Sequence, residues 1–301
     1  MIKEGSSWKN MTLHHFLKSY INFFFHTTNI FFLILKRYKN YLQIIMGVVM
    51  VKYPIIAVPR TSGHQITYHD FSSIYNDLLE IPWDLSNDVA SINGYTLHGV
   101  RRNGENISDI FIRGDYDFLN VAGNDVVDIG GNIGDSSIYF VSKGAKRVIC
   151  LEPFYDSYLI AQRNIEVNKL SQKIHLLWAA CGSSDNPVNN DNIPPTLTLQ
   201  NIVEAFGIKS GILKIDCEGC EYEVILNCPS GILSLFTMIQ IEYHYGYANI
   251  KRKLESSGFQ VRVKEPRYFK PRTMTEPQCF FDSIKRNNNA IFVGWLFAWR
   301  D

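Results

Sequence analysis

Ionisable side chains follow two apolar runs in the second half of this 301-residue chain. Asp216 and Glu218 come after the first run, and Glu242 and His244 close the second. Ligands of open α/β sheets bind outside the carboxyl ends of the strands, so the two groups are expected at one ligand-binding edge. We predict that Asp216 positions a substrate and that His244, which titrates near neutral pH, removes a proton. Glu242 would orient the imidazole or contact the substrate.

Two of these four catalytic candidates have structural alternatives. Glu218 and Glu221 would cap a helix predicted from Cys220, where negative charge meets the positive end of the helix dipole. This is the favoured role for Glu221. A histidine at a strand end, such as His244, is also often structural.

A glycine-rich turn follows a third apolar run at Val126–Ile129. Glycine lets the backbone approach a ligand closely and adopt a positive φ. A carboxylate before the turn would repel a pyrophosphate, but it suits a cationic or hydroxyl-bearing ligand such as S-adenosylmethionine. The dinucleotide pattern GxGxxG fails, because Asp135 stands where its third glycine belongs. An ordinary turn of an α/β protein is the alternative to a cofactor loop. The predicted cofactor-binding residues are Asp128, Gly130, Gly131, Asn132 and Gly134.

A second carboxylate, Glu152, ends the next apolar run and is followed by Pro153. Glu152 lies about 24 residues after Asp128, close to the length of one strand–helix–strand unit. A carboxylate at that position can accept hydrogen bonds from both ribose hydroxyls. Pro153 would end the strand and turn the chain over the adenosine. An exposed strand end is the alternative for Glu152.

Four sequence blocks, in this order, resemble those of the FkbM-type methyltransferase family: VVDIGGNIG, LEP followed by Asn164 and Asn168, LKIDCEGCE, and IEYH. The resemblance covers Asp125 to about Gly258, with cysteines at two positions where the family has small residues. It implies S-adenosylmethionine as cofactor and O-methylation of a hydroxyl on a small molecule or glycan. It also implies that the loop after the third strand lies beside the adenine, with Ala179 and Ala180 near the purine.

Apolar runs alternate with helical patterns from Asp125 onward, which predicts a mostly parallel sheet covered by helices. We predict a seven-strand Rossmann-like methyltransferase sheet with the last strand antiparallel. The predicted strands are Asp125–Ile129, Arg147–Leu151, Ile174–Trp178, Gly211–Ile215, Met238–Glu242, Phe259–Val263 and Ala290–Trp295. The predicted helices are Asp135–Ser142, Ser157–Asn168, Leu199–Phe206, Cys220–Asn227 and Tyr247–Ser257.

Three domains are expected: an apolar helical extension (1–52), a β-rich lead-in (53–120) and the methyltransferase domain (121–301). The lead-in has hairpin signals at Thr61–Gly63 and Asn93–Gly94, and a helical pattern at Asp70–Leu79. The extension has a polar stripe on an apolar helix, which fits helices packed on a domain. Peripheral membrane contact and a spanning segment are the alternatives. The protein is expected to be cytoplasmic, with membrane association as the alternative.

The charge balance argues against a nucleic-acid partner, because 30 basic and 29 acidic side chains leave a net charge of +1. The six scattered cysteines are expected to be reduced thiols, and no metal is predicted from the CxxC at Cys217 and Cys220. Two functional alternatives remain. One is an O-methyltransferase assisted by a divalent metal on Asp216 and Glu242, and the other is a non-catalytic scaffold on the same fold.

Overall fold

The computed structural model describes residues 31–50, 52–60, 65–69, 74, 77–78, 83–84, 87–184, 193–264, 267–269 and 291–300. The chain divides into two compact units, Met1–Ile81 and Pro82–Asp301. The division falls inside the predicted lead-in.

The first unit contains a helical stretch at 31–37, helix α1 (Tyr41–Val49) and a hairpin of β1 (Ile55–Ala57) and β2 (Ile66–Tyr68). The strands pair antiparallel, as predicted. The predicted turn at Thr61–Gly63 and most of the predicted helix at Asp70–Leu79 lie outside the described residues. No helix of the described part is long and apolar enough to cross a membrane.

In the first unit, the Asp77 carboxylate accepts hydrogen bonds from three side chains. Asp77 accepts two hydrogen bonds from Arg37, each at 3.0 Å, and one from the Tyr68 hydroxyl at 2.6 Å. The Tyr38 hydroxyl also donates to Asp77. Burial, together with these contacts, raises the pKa of both tyrosines. Both hydroxyls therefore keep their protons and act as donors.

The second unit begins with a small antiparallel sheet formed by β3 (Trp83–Asp84), β4 (Val89–Ile92) and β5 (Tyr95–His98). The predicted hairpin at Asn93–Gly94 is confirmed, since both turn residues adopt a positive φ. Helix α2 (Val100–Phe111) follows. The sequence analysis expected strands and turns there, and this was wrong. Only four of its twelve residues are apolar, and Gly104 has a low helix propensity.

Two asparagines attach β5 to helix α4 (Tyr155–Val167). Asn164 accepts from the backbone N–H of His98 at 2.7 Å, and Asn168 accepts from that of Thr96 at 2.8 Å. Each amide also donates to the carbonyl of the residue it accepts from. The side chains thus pair with the β5 backbone as a neighbouring strand would.

Seven strands form the main sheet. They are β6 (Asp125–Ile129), β7 (Arg147–Leu151), β8 (Ile174–Leu177), β11 (Gly211–Ile215), β12 (Phe236–Tyr243), β13 (Gln260–Val263) and β15 (Ile291–Trp299). Their order in the sheet is β13–β15–β12–β11–β6–β7–β8, and β15 runs antiparallel to both neighbours. The predicted seven-strand sheet is confirmed, and β14 (Arg267–Phe269) adds a further pairing on β15.

Short elements and helices connect the strands of the main sheet. They are α3 (Asp135–Ser142), β9 (Ala180–Cys181), β10 (Thr196–Leu197), α5 (Leu199–Phe206), α6 (Glu221–Asn227), α7 (Ser230–Leu233) and α8 (Ala248–Ser256). Every residue of β6 and β11 is buried, as expected for central parallel strands. Apolar side chains of α5, α6 and α8 share one core with alternate residues of these strands. The sheet therefore holds the carboxyl ends of β6 and β11 side by side.

Candidate functional site

The glycine turn after β6 packs directly against the end of β11. Gly130 has a φ of 80°, and a Cβ there would overlap the backbone carbonyl of Asp216. A Cβ at Gly131 would overlap the sulfur of Cys150. Asn132 has a left-handed φ of 46°, which asparagine tolerates better than most residues. These positions bring the predicted cofactor loop against Asp216.

Asp128, at the end of β6, is fully buried and bonded inside the protein. Its Oδ1 lies 3.0 Å from Nζ of Lys214, and its Oδ2 accepts from the hydroxyls of Ser136 and Ser137 at 2.7 and 2.6 Å. The prediction placed this carboxylate toward a ligand. In the structure, its bonds join β6 to β11 and to the start of α3.

Lys214 is a site residue that the sequence analysis overlooked. It stands opposite Asp128 in the β6–β11 register, and its Nζ donates to the Gly130 carbonyl at 2.7 Å. Burial alone lowers the pKa of Lys214, but the nearby carboxylates outweigh burial and leave the pKa raised. The available signal was a lysine inside the apolar run Gly211–Ile215. Lys214 therefore connects Asp128 to the backbone of the glycine turn.

Glu152 lies beside the turn, as predicted for a ribose-binding carboxylate. It accepts from the backbone N–H of Asn132 at 2.8 Å and from that of Phe154 at 2.7 Å. Burial raises its pKa to about 7, although the two backbone donors lower it. Each oxygen keeps a lone pair for a further donor. The Pro153 carbonyl accepts a hydrogen bond from the Trp178 indole at 2.9 Å, which links the end of β7 to the end of β8.

The loop after β8 holds the two alanines predicted near the purine. Ala179 is buried, and the backbone N–H of Ala180 is bonded to the Pro195 carbonyl in the β9–β10 pairing. Tyr155, which is exposed, makes an edge contact with the Trp178 ring at 5.0 Å. Trp178, next to Ala179 in the chain, also donates to the Pro153 carbonyl, so this loop is bonded to the end of β7.

The structure brings the four predicted catalytic residues together around His244. Its Nε2 lies 3.2 Å from Glu218 and 3.7 Å from Glu242, and its Nδ1 lies 3.1 Å from Glu221. Burial alone lowers the pKa of His244, but the bonds to Glu218 and Glu221 reverse this and raise the pKa to about 11. The sequence led us to expect a histidine that titrates near neutral pH, whereas the carboxylate neighbours in the structure favour the imidazolium.

Glu221 fixes the orientation of the imidazole. The residue is fully buried at the start of α6, and its Oε1 also accepts from the backbone N–H of His244 at 3.1 Å. Its other oxygen accepts from the N–H of Gly219 at 2.8 Å. Glu221 therefore bonds the turn that leads into α6, close to its predicted capping role, and also holds Nδ1 of His244.

Asp216 and Glu242 complete the cluster. Tyr116 donates to Oδ2 of Asp216 at 3.2 Å, and burial and Asp216 raise the pKa of this hydroxyl well above its usual value. Burial and the neighbouring Asp216 raise the pKa of Glu242 as well. Tyr116 precedes Asp216 by 100 residues, and no sequence signal connects them.

Ligand atoms of three cluster residues could hold a metal ion. One atom each from Asp216, Glu218 and His244 lies within 4.8 Å of the others. The sequence alternative paired Asp216 with Glu242 instead. Carboxylate oxygens and an imidazole nitrogen form a donor set that suits divalent cations.

A disulfide joins Cys217 and Cys220 in the turn that carries Glu218. The prediction that all cysteines are reduced was wrong for this pair. The turn into α6 brings their Cα atoms to 5.6 Å, within the range that a disulfide spans. Among the described residues, Cys150, Cys181 and Cys228 are free and buried.

Comparison with known proteins identifies the domain that contains this cluster. Residues 128–261 match the model of the methyltransferase FkbM domain. None of the curated protein sequences matches the chain.

Two solved structures illustrate the similarity. A methyltransferase FkbM from Methylobacillus flagellatus KT is 15% identical, with a TM-score of 0.44. The match covers 64% of this chain and 48% of that chain. The chain thus spans about half the length of that protein. A precorrin-6y C5,15-methyltransferase from Geobacter metallireducens GS-15 is 16% identical, with a TM-score of 0.36, 73% of this chain and 98% of that chain covered.

The assignment rests on the family model, whose range begins at Asp128 and includes the glycine turn, Glu152 and the His244 cluster. The cofactor of this family is S-adenosylmethionine. Residues 128–261 of the chain therefore form a methyltransferase FkbM domain, whose family uses S-adenosylmethionine.

Proposed function

We propose that this chain transfers the methyl group of S-adenosylmethionine to a hydroxyl of a small molecule or glycan. The observation that carries the proposal is the contact between the glycine turn and the end of β11. Because a Cβ at Gly130 would overlap the Asp216 carbonyl, the cofactor loop and the ionisable cluster adjoin. A donor on the loop would have its reactive end beside the cluster.

The residues present suit the cofactor. The glycines at 130, 131 and 134 let a ligand approach the backbone of the turn closely. Each Glu152 oxygen accepts one backbone hydrogen bond and keeps a lone pair for a ribose hydroxyl. S-adenosylmethionine supplies a methyl group already activated on a sulfonium. The protein must then align the acceptor with it, and alignment can supply several kcal/mol of barrier reduction.

Asp216 is the proposed residue for binding the acceptor hydroxyl and receiving its proton. As the hydroxyl oxygen forms its bond to the methyl carbon, the carbon–sulfur bond breaks and the proton passes to the carboxylate. Tyr116 holds the other side of that carboxylate by donating to Oδ2 at 3.2 Å. His244 was the predicted base, but its carboxylate neighbours raise its pKa to about 11, which favours Asp216 for this role at neutral pH. In its protonated form His244 would stabilise the negative charge that develops on the acceptor oxygen.

The test measures donor binding and methyl transfer separately. Calorimetry with S-adenosylmethionine gives affinity, and transfer of a radiolabelled methyl group to a panel of hydroxylated small molecules and glycans gives turnover. Asp216→Asn should keep the affinity and lose about 10²–10⁴-fold in turnover, the range for a general base. Asp156→Asn, at an exposed position on α4, is the matched control and should change neither.

Two results would contradict this proposal. Wild-type turnover by Asp216→Asn would place the base elsewhere. If the wild type did not bind S-adenosylmethionine at millimolar concentration, the chain would be a scaffold on a methyltransferase fold.

A divalent cation bound by Asp216, Glu218 and His244 is the second candidate. The observation that favours it is the bond between Nδ1 of His244 and the buried Glu221, because metal-binding histidines usually donate their second N–H to a carboxylate. The cation would hold the acceptor oxygen and lower its pKa. Binding would require His244 to lose its proton, so metal affinity should rise with pH.

Chelation distinguishes the two mechanisms. Metal assistance predicts that a chelator abolishes turnover, that Mg²⁺ or Mn²⁺ restores it, and that Glu218→Gln weakens the restoration. Unchanged turnover after chelation would exclude the metal and leave the proton-transfer mechanism.

A further inference from the structure

Helix α1 of the first unit exposes an apolar stripe. Leu42, Met46, Val49 and Met50 are between 49% and 64% exposed. Their spacing of four, seven and eight residues places them on one helical face. The opposite face contributes Ile44 to the core of the unit. Helix α1 is therefore apolar on both its buried face and its exposed face.

The preceding helical stretch adds apolar and cationic side chains. Phe32 and Leu35 are 55% and 43% exposed, and Lys36 and Lys39 are exposed as well. The ammonium group of Lys36 lies 4.5 Å from the centre of the Phe32 ring. Lysine stems can lie along an apolar surface while their charged ends reach outward. We call Phe32, Leu35, Leu42, Met46, Val49, Met50 and the two lysines the α1 surface.

The first unit carries an excess of positive charge. Residues 1–81 contain eight lysines and arginines and four acidic residues, which gives a net charge of +4. The whole chain has a net charge of +1, so residues 82–301 carry a net charge of −3. The apolar side chains of the α1 surface thus lie in a cationic segment.

We propose that the α1 surface docks on an anionic lipid membrane. Apolar side chains beside lysines match the acyl–headgroup boundary, where the first insert and the second pair with negative headgroups. Helix α1 has nine residues, or about 14 Å, so it would lie along the membrane rather than cross a hydrocarbon core of about 30 Å. A second copy of the chain is disfavoured as the occupant, because it would bring a segment of the same charge. The proposal is independent of methyl transfer.

Co-sedimentation of the full chain with vesicles tests this proposal. We expect binding to vesicles of phosphatidylcholine with phosphatidylserine, and much weaker binding to phosphatidylcholine alone. Lys36→Gln with Lys39→Gln should lower binding by about 25-fold, from about fivefold for each charge. The matched control replaces Lys169 and Lys209, both exposed in the second unit, with glutamine and should leave binding unchanged.

The apolar side chains are tested with Leu42→Asn and Met46→Asn together. We expect weaker vesicle binding with an unchanged far-ultraviolet circular dichroism spectrum. Equal binding of wild type and both double variants to anionic vesicles would overturn the proposal, as would no binding of the wild type. A wild-type dimer that becomes a monomer on Leu42→Asn with Met46→Asn, without vesicle binding, would assign the α1 surface to a second copy instead.

Discussion

Replacing Lys214 with methionine tests how the cofactor turn is supported. Methionine keeps an unbranched apolar stem, but it removes the ammonium group that lies 3.0 Å from Asp128 and donates to the Gly130 carbonyl at 2.7 Å. The side chains of Lys214 and Asp128 are 2% and 0% exposed, so water cannot replace the lost partner. The variant therefore leaves a buried carboxylate without a counter-charge.

The expected loss in the free energy of unfolding is about 3–5 kcal/mol, the usual cost of breaking a buried ion pair from one side. The bonds of Asp128 to Ser136 and Ser137 remain and favour the lower part of this range. Adding Asp128→Asn removes the uncompensated charge, so the double variant should recover about 1–3 kcal/mol, a typical coupling energy for contacting residues.

Urea denaturation followed by tryptophan fluorescence gives these free energies. Lys209→Met, at an exposed lysine, is the matched control and should stay within about 0.5 kcal/mol of wild type. Calorimetry should also show weaker binding of S-adenosylmethionine by Lys214→Met, because the Gly130 carbonyl has lost a donor. A loss below about 1 kcal/mol, or a double variant no more stable than Lys214→Met, would refute the reasoning.

Three further predictions concern the turn, the ribose carboxylate and the histidine. Gly130→Ala should lower the free energy of unfolding by more than the roughly 1–2 kcal/mol expected from a left-handed backbone alone, because the added Cβ would overlap a backbone carbonyl. Gly123 also has a positive φ but open space around it, so Gly123→Ala measures the backbone effect by itself in urea denaturation. Glu152→Ala should weaken S-adenosylmethionine binding by about 1.5–3 kcal/mol in calorimetry, while the exposed Glu166→Ala should not. The stability difference between wild type and His244→Gln should be largest below pH 6.5 and shrink as the pH rises toward 11. Because the pKa of His244 is raised to about 11 in the folded protein, the protonated imidazole stabilises the fold below pH 6.5, and this stabilisation is lost as the pH rises to 11. Denaturation at several pH values measures the difference.

Each of the three has a distinct contrary result. Equal losses for Gly130→Ala and Gly123→Ala would show that the turn can move away from β11. An unchanged dissociation constant for Glu152→Ala would remove this carboxylate from the cofactor site. A stability difference for His244→Gln that does not vary with pH would mean that the imidazole is neutral in the folded protein.

Sequence patterns were sufficient for the main sheet and for which ionisable residues meet at its edge. The strand runs are apolar and bounded by turns, and the order of strands and helices allows few topologies. The sequence also predicted the glycine turn, and Gly130 lies where the chain needs a positive φ and has no room for a side chain. The ionisable residues were expected to meet because parallel strands end at one edge. Helix α2 was not predictable in this way, because its apolar residues are sparse.

Only the tertiary structure decided what each ionisable side chain does. Lys214 stands opposite Asp128 because β11 pairs with β6, and the two side chains form a buried ion pair that the sequence did not indicate. Glu221 and Glu218 lie 3.1 and 3.2 Å from the ring nitrogens of His244 and raise its pKa. Charge and protonation depend on burial and on distances of 3–4 Å between residues far apart in the chain. A sequence orders residues along one dimension, so it specifies which groups are present but not which neighbours set their charge.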